Sequence, residues 1–373
     1  MHAVVGLARR RRGLARARGR TPEPLTSPSA GAQFGMITAQ EQAGFRRALE
    51  LAARGPEGEN PRVGCVLLAP DGAVVGEGWH RGAGTPHAEV VALRAAGGRA
   101  RRATALVTLE PCDHTGRTGP CTQELLAAGV GRVLYGVPDP NPVAGGGAAA
   151  LAAAGVSAQV VPDTELRAAA EALLRPWSRA HRFRRPLVTW KWAASLDGRT
   201  AAADGSSRWV TGPAARRDVH RLRALHDMVL VGTGTAWADD PELTVRDTAI
   251  VGRPPGRAVM GLRDLPASAR LRAGPAPALQ LRTRSPRVAL DRLWRTGARR
   301  VLLEGGATLA AAFVSAGLVD DVVAYLAPKL LGSGLAAVAD LGVASIGDAV
   351  MLALQGVTAL DEDVRLTYHA VTP

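Results

Sequence analysis

The sequence has few cysteines, few aromatic residues and no long apolar run. Its 373 residues include only three cysteines, an odd number that is too small for a disulfide framework and typical of a reducing compartment. Aromatic residues make up 4% of the chain, and no basic stripe interleaved with aromatics marks a surface for nucleic acid. No apolar stretch is long enough to cross a bilayer. We therefore predict a cytoplasmic protein that binds neither nucleic acid nor a membrane.

Acidic residues are nearly lacking from the start of the chain. Residues 1–35 contain seven arginines against the single acid Glu23, and so supply six of the thirteen net positive charges. The Pro-, Ser- and Gly-rich end of this segment has neither helical nor strand periodicity. We predict a disordered basic tail over residues 1–36. It is either a segment that resembles a transit peptide or residues upstream of a true start at Met36, and we favour the second origin.

The remaining sequence has the length and composition of two globular domains, since single cores rarely exceed a few hundred residues. Thr38 and Glu41 form a capping-box pattern before a helix, and Asp71-Gly72 lies between two strand-like runs as in a hairpin. Strand and helix patterns then alternate, which predicts a mostly parallel sheet covered by helices. A long helical stretch ends near Pro186, where a second α/β block begins. We predict domains over residues 37–180 and 181–373, and no clear pattern over 250–300.

One His and two Cys lie at spacings that suggest a metal site. His87 stands at the start of a predicted helix in T-P-H-A-E, and Cys112 and Cys121 each follow a proline at or near a predicted helix start. Two thiolates and an imidazole suit zinc, and three protein ligands leave a fourth position for water. Helix amino termini favour the thiolate forms. The alternative is a helix-capping His with two ordinary buried cysteines; the shared context of the three residues favours zinc.

Glu89 lies two residues after His87 and is placed to move protons. Zinc acidifies its bound water, and a nearby carboxylate that is not a ligand can carry the water proton to the departing amine. The pattern indicates a hydrolytic deaminase. A nucleic-acid base deaminase shares this chemistry, but those enzymes usually have two residues between the cysteines, whereas eight intervene here. Cys65 lies inside an apolar strand, and we predict that it is a core residue.

With these residues and the motifs NPRVGCVLL, TPHAE, TLEPCDHTGRTGPC, DPNP, KWAASLDGRT and LLEGGATL, the chain resembles the bifunctional riboflavin-biosynthesis deaminase/reductase (RibD) family from about residue 37 to the end. The resemblance implies a cytidine-deaminase-like three-layer α/β/α domain followed by a dihydrofolate-reductase-like α/β domain. It implies one zinc ion, NADPH, phosphorylated pyrimidine substrates and a homo-oligomer. The alternative is an active deaminase whose second domain is a degenerate reductase that serves binding or oligomerisation.

In the deaminase domain, the resemblance places the zinc ligands and the proton shuttle on the residues already named. It assigns the pyrimidine and ribose to Asn60 and Asn141, and the ribose phosphate to His80, His114 and Arg117. An arginine and two histidines around a metal site suit a dianion. Asp113 departs from the small hydroxyl residue that is frequent in the family, and an acid beside a phosphate site is discordant.

In the reductase domain, a strand followed by paired glycines and a helix lets backbone amides face a pyrophosphate. The resemblance assigns NADPH to Ala193, Trp209, Thr235, Asp239, Gly305, Gly306, Ala307 and Thr308. It assigns the substrate to Ser207, Arg223, Leu243, Arg246 and Glu304. Lys191, one of only two lysines, lies on the strand entering this site and is a candidate catalytic residue. Core packing is the alternative for Trp209 and Trp237.

One segment of the reductase domain departs from the family. Where the family usually has a strand ending in Asp and a small polar residue, this chain reads Val259-Met260-Gly261-Leu262-Arg263. Arg263 is therefore a candidate ligand of the NADPH 2′-phosphate. The same departure is the reason for the alternative in which the second domain is a weak reductase.

Overall fold

The computed structural model describes residues 37–371 apart from 57, 59, 116–118, 251–252 and 274–277. The basic tail predicted over residues 1–36 and the candidate phosphate ligand Arg117 lie outside the described residues. The described residues form one compact unit. Within it are a five-stranded sheet, an eight-stranded sheet and a two-stranded ribbon.

The first half alternates strands and helices as its sequence predicts. Its strands are Gly64–Leu68 (β1), Val74–Trp79 (β2), Thr104–Leu109 (β3), Arg132–Val137 (β4) and Ser157–Val160 (β5). Its helices are Ala39–Ala52 (α1), Ala88–Ala96 (α2), Cys121–Ala127 (α3), Gly147–Ala153 (α4) and Thr164–Phe183 (α5). The capping box is confirmed, because the Thr38 hydroxyl accepts a hydrogen bond from the Glu41 amide at 3.1 Å and the Glu41 carboxylate accepts one from the Thr38 amide at 2.9 Å.

The first sheet is mixed: four of its five strands run in one direction, as predicted, and β1 runs the opposite way. Its order is β2-β1-β3-β4-β5. β1 is antiparallel to both β2 and β3, whereas β3–β4 and β4–β5 are parallel. The predicted hairpin causes this, since Gly72 adopts a φ of 85° and turns the chain straight back. The crossover through α2 then places β3 on the far side of β1 and parallel to β2.

Helices cover both faces of this sheet. On one face, Phe45 of α1 and Leu166 of α5 pack against Val66 and Leu106 in the sheet. On the other face α2, α3 and α4 pack against the alternate strand residues, with Cys65 fully buried among them. Successive strand residues face opposite layers, which gives two apolar cores. The three-layer fold and the core position of Cys65 are confirmed.

The second half contains further strands and helices. Its strands are Leu187–Ser195 (β6), Arg199–Ala201 (β7), Met228–Gly232 (β8), Gly256–Met260 (β9), Leu279–Leu281 (β10), Arg300–Leu303 (β11), Asp321–Ala327 (β12), Leu335–Ala336 (β13), Leu352–Leu360 (β14) and Asp363–Ala370 (β15). Its helices are Pro213–Ala224 (α6), Thr233–Asp239 (α7), Pro286–Arg295 (α8) and Ala307–Ser315 (α9). The large sheet has the order β10-β9-β8-β11-β6-β12-β15-β14. Its strands are parallel from β10 to β12, and β15 and β14 add an antiparallel hairpin.

Helix α5 joins the two sheets, running from β5 toward β6. The boundary that we predict after residue 180 falls inside this helix, close to its end at Phe183, and stays a prediction. Residues 250–300, which had no clear sequence pattern, contain β9, β10 and α8. No helix among the described residues has both the length and the apolar character needed to cross a membrane.

Two glycines allow the close packing that shapes the first site. A Cβ on Gly78 of β2 would lie 2.3 Å from the Ala88 carbonyl oxygen at the start of α2. A Cβ on Gly147 at the start of α4 would lie 1.8 Å from the carbonyl oxygen of Pro111. Both contacts are closer than any side chain permits. With glycine at these two positions, the start of α2 packs directly against β2, and the segment after β3 packs directly against the start of α4.

Candidate active sites

Three side chains from separate segments meet at one point. His87 is the N-cap residue of α2, Cys121 is the first residue of α3, and Cys112 follows β3. The His87 Nδ1 atom lies 3.1 Å from the Cys121 sulfur and 3.5 Å from the Cys112 sulfur, and the three ligand atoms all lie within 4.8 Å of one another. Two sulfurs and one nitrogen on one side of a cavity are a donor set that suits zinc and leaves a position open.

The predicted placement of Cys112 at or near a helix start is wrong. Cys112 lies in an irregular segment nine residues before α3, although the backbone amide of Cys121 at the start of that helix still helps to lower its pKa. A hydrogen bond from the Cys121 thiol, aided by one from His87, lowers the pKa of Cys112 most. The same pairing raises the pKa of Cys121.

Glu89 lies beside this triad and is almost completely buried. It is the second residue of α2, with 4% of its surface exposed, and it lines the same cavity as His87 and Cys112. Burial raises the pKa of its carboxyl to about 7. A carboxyl with a pKa near the working pH can both accept and donate a proton.

The cavity has a volume of about 300 Å³ and brings together most of the deaminase residues predicted from the sequence. Asn60, His80, His114 and Asn141 all line it. Burial lowers the pKa of His80, so this residue approaches a ligand as a neutral hydrogen-bonding ring. The roles of these residues toward substrate stay predictions.

Several lining residues were not predicted from the sequence. Glu110 accepts hydrogen bonds from the amides of Asp139 and Ala148, each at 2.9 Å, and so shapes the loop that carries Asn141. Glu110 and Asp139 stand inside the motifs LEPC and DPNP, which were the available signal. Thr85, Trp177 and His181 also line the cavity.

Asp113 has a structural role that its sequence motif does not show. Its carboxylate accepts a hydrogen bond from the Thr122 hydroxyl at 2.6 Å, in the first turn of α3. Its amide donates to the Ala144 carbonyl at 3.1 Å. Asp113 therefore fixes the segment between the two cysteines to α3 and to the loop after β4.

The second candidate site lies at the carboxyl ends of β8 and β11, as expected for parallel strands. Gly306 is the N-cap residue of α9, and its amide donates to the Thr235 hydroxyl at 3.2 Å. The Gly305-Gly306 turn follows β11 and Thr235 follows the neighbouring strand β8. These residues, which are predicted to bind a dinucleotide, therefore lie in contact. Ala307 and Thr308 form the first turn of α9, and Asp239 ends α7.

Trp209 and Trp237 are not core residues, so the core-packing alternative is wrong for both. Trp209 is 63% exposed and Trp237 is 42% exposed. Ser207 is exposed near Trp209, and Ala193 of β6 packs beside Tyr325. Large exposed aromatic side chains offer contact surface for a ligand.

A buried group of charges lies beneath this site. Arg223 of α6 forms two hydrogen bonds to Glu304, with nitrogen–oxygen distances of 2.6 and 2.9 Å. Burial opposes ionisation of Glu304, but Arg223 outweighs it and lowers the pKa to about 2. Burial also lowers the pKa of Lys191, which adjoins the pair and lies 5.7 Å from the Tyr325 ring centre.

Arg223 is therefore already paired, whereas Arg246 is more accessible to a phosphate. Arg223 also donates to the Thr244 carbonyl at 3.0 Å. Arg246 keeps 57% of its side chain exposed and pairs with Glu242 at 2.7 Å. The adjacent Leu243 is buried with a φ of 55°. Both arginines stay predicted phosphate ligands.

The departure from the family pattern has a local structural reason. Gly261 adopts a φ of 145°, and a Cβ there would lie 2.5 Å from the Thr233 hydroxyl at the start of α7. Arg263 lies 3.4 Å above the Trp237 ring centre. Its proposed contact with a 2′-phosphate stays a prediction.

Two family models match this chain. The cytidine and deoxycytidylate deaminase zinc-binding region matches residues 38–137, and the RibD C-terminal domain matches residues 186–366. The riboflavin biosynthesis protein RibD of Mycobacterium tuberculosis is 47% identical over 312 residues, covering 83% of this chain and 91% of that protein. The Escherichia coli RibD protein is 39% identical over 365 residues, covering 88% and 98%. A solved structure of Acinetobacter baumannii RibD superposes with a TM-score of 0.81 at 38% identity, covering 89% and 99%.

Proposed function

Since this chain belongs to the RibD family, it is a bifunctional deaminase and reductase of riboflavin biosynthesis, and we propose the cofactors, substrates and residues with which it works. Residues 37–180 use one zinc ion to deaminate 2,5-diamino-6-ribosylamino-4(3H)-pyrimidinone 5′-phosphate. Residues 181–373 use NADPH to reduce the product, 5-amino-6-(5-phosphoribosylamino)uracil, to its ribityl form. The observation that carries this proposal is the cavity lined by His87, Cys112 and buried Glu89, beside which Cys121 completes the triad.

The first reaction depends on proton transfer at Glu89. Zinc, when bound by the triad, supplies Lewis-acid activation of a water molecule. With zinc bound, Glu89 would take one proton from the attacking water and give it to the ring nitrogen, and would then pass the second proton, from the hydroxyl group added to the ring carbon, to the departing amine. Asn60 and Asn141 orient the pyrimidine and ribose, and His80, His114 and Arg117 receive the phosphate. Ammonia and the uracil product leave.

The second reaction is a hydride transfer to C1 of the ribosyl group in its open imine form. Bound NADPH would supply the hydride for C1, the imine nitrogen would take a proton, and the protein would align the two reactants. Gly305, Gly306 and Thr235 face the pyrophosphate, while Trp209 and Asp239 bind elsewhere on the dinucleotide. Glu304 and Arg246 hold the substrate, and Lys191 is the candidate catalytic group beside them. The intact Arg223–Glu304 pair favours an active reductase over a non-catalytic module.

Both activities are tested with the full-length protein. Given the diaminopyrimidine substrate and NADPH, it should release one ammonia and oxidise one NADPH for each substrate consumed. A zinc chelator should stop ammonia release and leave reduction of the deaminated compound intact, because only the first reaction needs the metal. Ammonia release without NADPH oxidation would contradict the reductase assignment and support the alternative of a non-catalytic second domain.

A further inference from the structure

Helix α5 contributes to the deaminase cavity although neither family model covers it. The deaminase model ends at residue 137 and the RibD C-terminal model begins at residue 186, whereas α5 spans Thr164–Phe183. Trp177 and His181 of α5 nevertheless line the same cavity as His87, Cys112 and Glu89. The helix that connects the two halves thus forms part of the wall of the first site.

The two residues form one aromatic surface that is supported from behind. Trp177 and His181 are four positions apart and lie on the same face of α5, with ring centres 4.8 Å apart. His181 also meets Trp294 of α8 edge-on, with ring centres 5.6 Å apart. Trp294 is held in turn by the Arg299 guanidinium, 3.6 Å from its ring centre. Trp294 is not among the described residues that line the cavity. It therefore contacts His181 from behind and does not face the cavity.

We propose that Trp177 and His181 are specificity-determining residues that contact the ribosyl part of the substrate, and that Trp294 positions His181. This inference rests on the proposed deaminase function of the cavity. The segment matched by the general cytidine and deoxycytidylate deaminase model supplies the triad and Glu89, which act on the base. A ribosyl phosphate extends beyond the base and needs further contact surface. Aromatic side chains provide such surface with a polar edge for hydroxyl groups.

The proposed roles of Trp177 and His181 are tested by deaminase kinetics of the full-length, zinc-loaded protein. His181→Ala should raise KM for the diaminopyrimidine phosphate by about tenfold or more while kcat changes little, because it removes contact and not chemistry. Trp177→Ala should do the same, and Trp177→Phe, which keeps a ring, should restore most of the affinity. Phe183→Ala, on the same helix and 45% exposed, is the matched control and should leave KM unchanged. Zinc content and reductase activity should stay at wild-type levels throughout.

The positioning role of Trp294 is tested by a double-mutant cycle. Trp294→Leu should raise the deaminase KM although it lies in the second half, and combining it with His181→Ala should add nothing further. If His181→Ala fails to fold, His181→Asn must show the same selective rise in KM. Wild-type KM in the His181 variants, or additive effects in the cycle, would overturn the inference. If the wild-type protein releases no ammonia, the proposed deaminase function is contradicted, and the inferred roles of Trp177 and His181 are contradicted with it.

Discussion

Cys112 and Cys121 lie against the His87 imidazole, whereas Cys65 is enclosed in the core of the same sheet. Burial raises the pKa of the Cys65 thiol, so this residue stays protonated and inert. The three cysteines therefore provide an internal comparison between two candidate ligands and one packing residue.

Replacing Cys112 by Ser should strip most of the zinc from the purified protein and abolish ammonia release, because a hydroxyl is a much weaker zinc ligand than a thiolate. Zinc per chain is measured by atomic absorption beside the deaminase assay. Cys65→Ala is the matched control and should keep its zinc. Equal zinc loss in both variants would show that fold damage, and not ligation, explains the result.

His226 makes the protein sensitive to acid at a site remote from the zinc. Its ring is buried; Nδ1 donates to the Leu222 carbonyl at 2.7 Å, and Nε2 lies 3.0 Å from the Thr189 hydroxyl. Burial lowers its pKa to about 3. Since the unfolded chain binds this proton near pH 6.5 and the folded chain does not, stability falls as pH falls from about 6.5 toward about 3.

In His226→Asn, the acid-induced loss of stability should therefore be smaller by roughly 1.4 kcal/mol per pH unit, the contribution of one proton. Denaturant unfolding of both proteins between about pH 6.5 and pH 4.5 measures this difference. Asn can still donate a hydrogen bond to the Leu222 carbonyl but cannot bind a proton in this pH range. The two proteins are therefore compared for the effect of protonating His226. Identical pH slopes would show that His226 titrates normally in the folded protein.

At the scale of elements, strong local patterns were predictive and weak ones were not. The capping box at Thr38, the Asp71-Gly72 hairpin and the long helix α5 are all confirmed, because each depends on residues close in sequence. Strands β9 and β10 have five and three residues and lie among Pro and Arg, so too few positions remained to show a period. The pairing of β3 with β1, and not with β2, depends on a crossover, which periodicity does not reveal.

The candidate sites show the same limit of sequence-based prediction, which detects residues that are close in sequence and misses those brought together by packing. Motif spacing predicted the triad and Glu89, which lie within two short stretches of sequence. Trp177 and His181 reach the cavity from a helix more than fifty residues beyond Cys121, and no local pattern distinguishes them from core residues. Only the packing of α5 brings them there.

The close packing of α4 on the segment before Cys112 is an element-scale requirement. Gly147→Ala would place a Cβ 1.8 Å from the Pro111 carbonyl oxygen, so α4 or the cysteine segment must move. We expect a loss of at least about 2 kcal/mol in unfolding free energy and a lower zinc affinity. Thermal unfolding and zinc titration measure the two effects. Gly98→Ala, where a Cβ meets nothing within 4 Å, is the control; equal behaviour of the two variants would contradict the packing argument.

At the scale of the whole molecule, α5 is fastened to the second sheet as well as to the first cavity. Arg175 of α5 pairs with Asp321 of β12 at 2.8 Å, and Arg185, just beyond the helix, pairs with Asp320 at 2.6 Å. These partly buried, two-pronged pairs fix the helix more firmly than exposed ion pairs do. The second half therefore holds part of the deaminase wall in place while it carries its own site.

The central claim is that one chain carries two active sites with separate chemistry, used in a fixed order, and reciprocal variants test it most directly. Ammonia and NADPH are followed together after mixing the diaminopyrimidine phosphate with Glu89→Gln or Glu304→Gln protein. The account predicts that Glu89→Gln retains zinc, releases no ammonia and oxidises NADPH only when given the deaminated compound, whereas Glu304→Gln releases ammonia and oxidises no NADPH. Ammonia release at the wild-type rate from Glu89→Gln, or undiminished NADPH oxidation by Glu304→Gln, would contradict it.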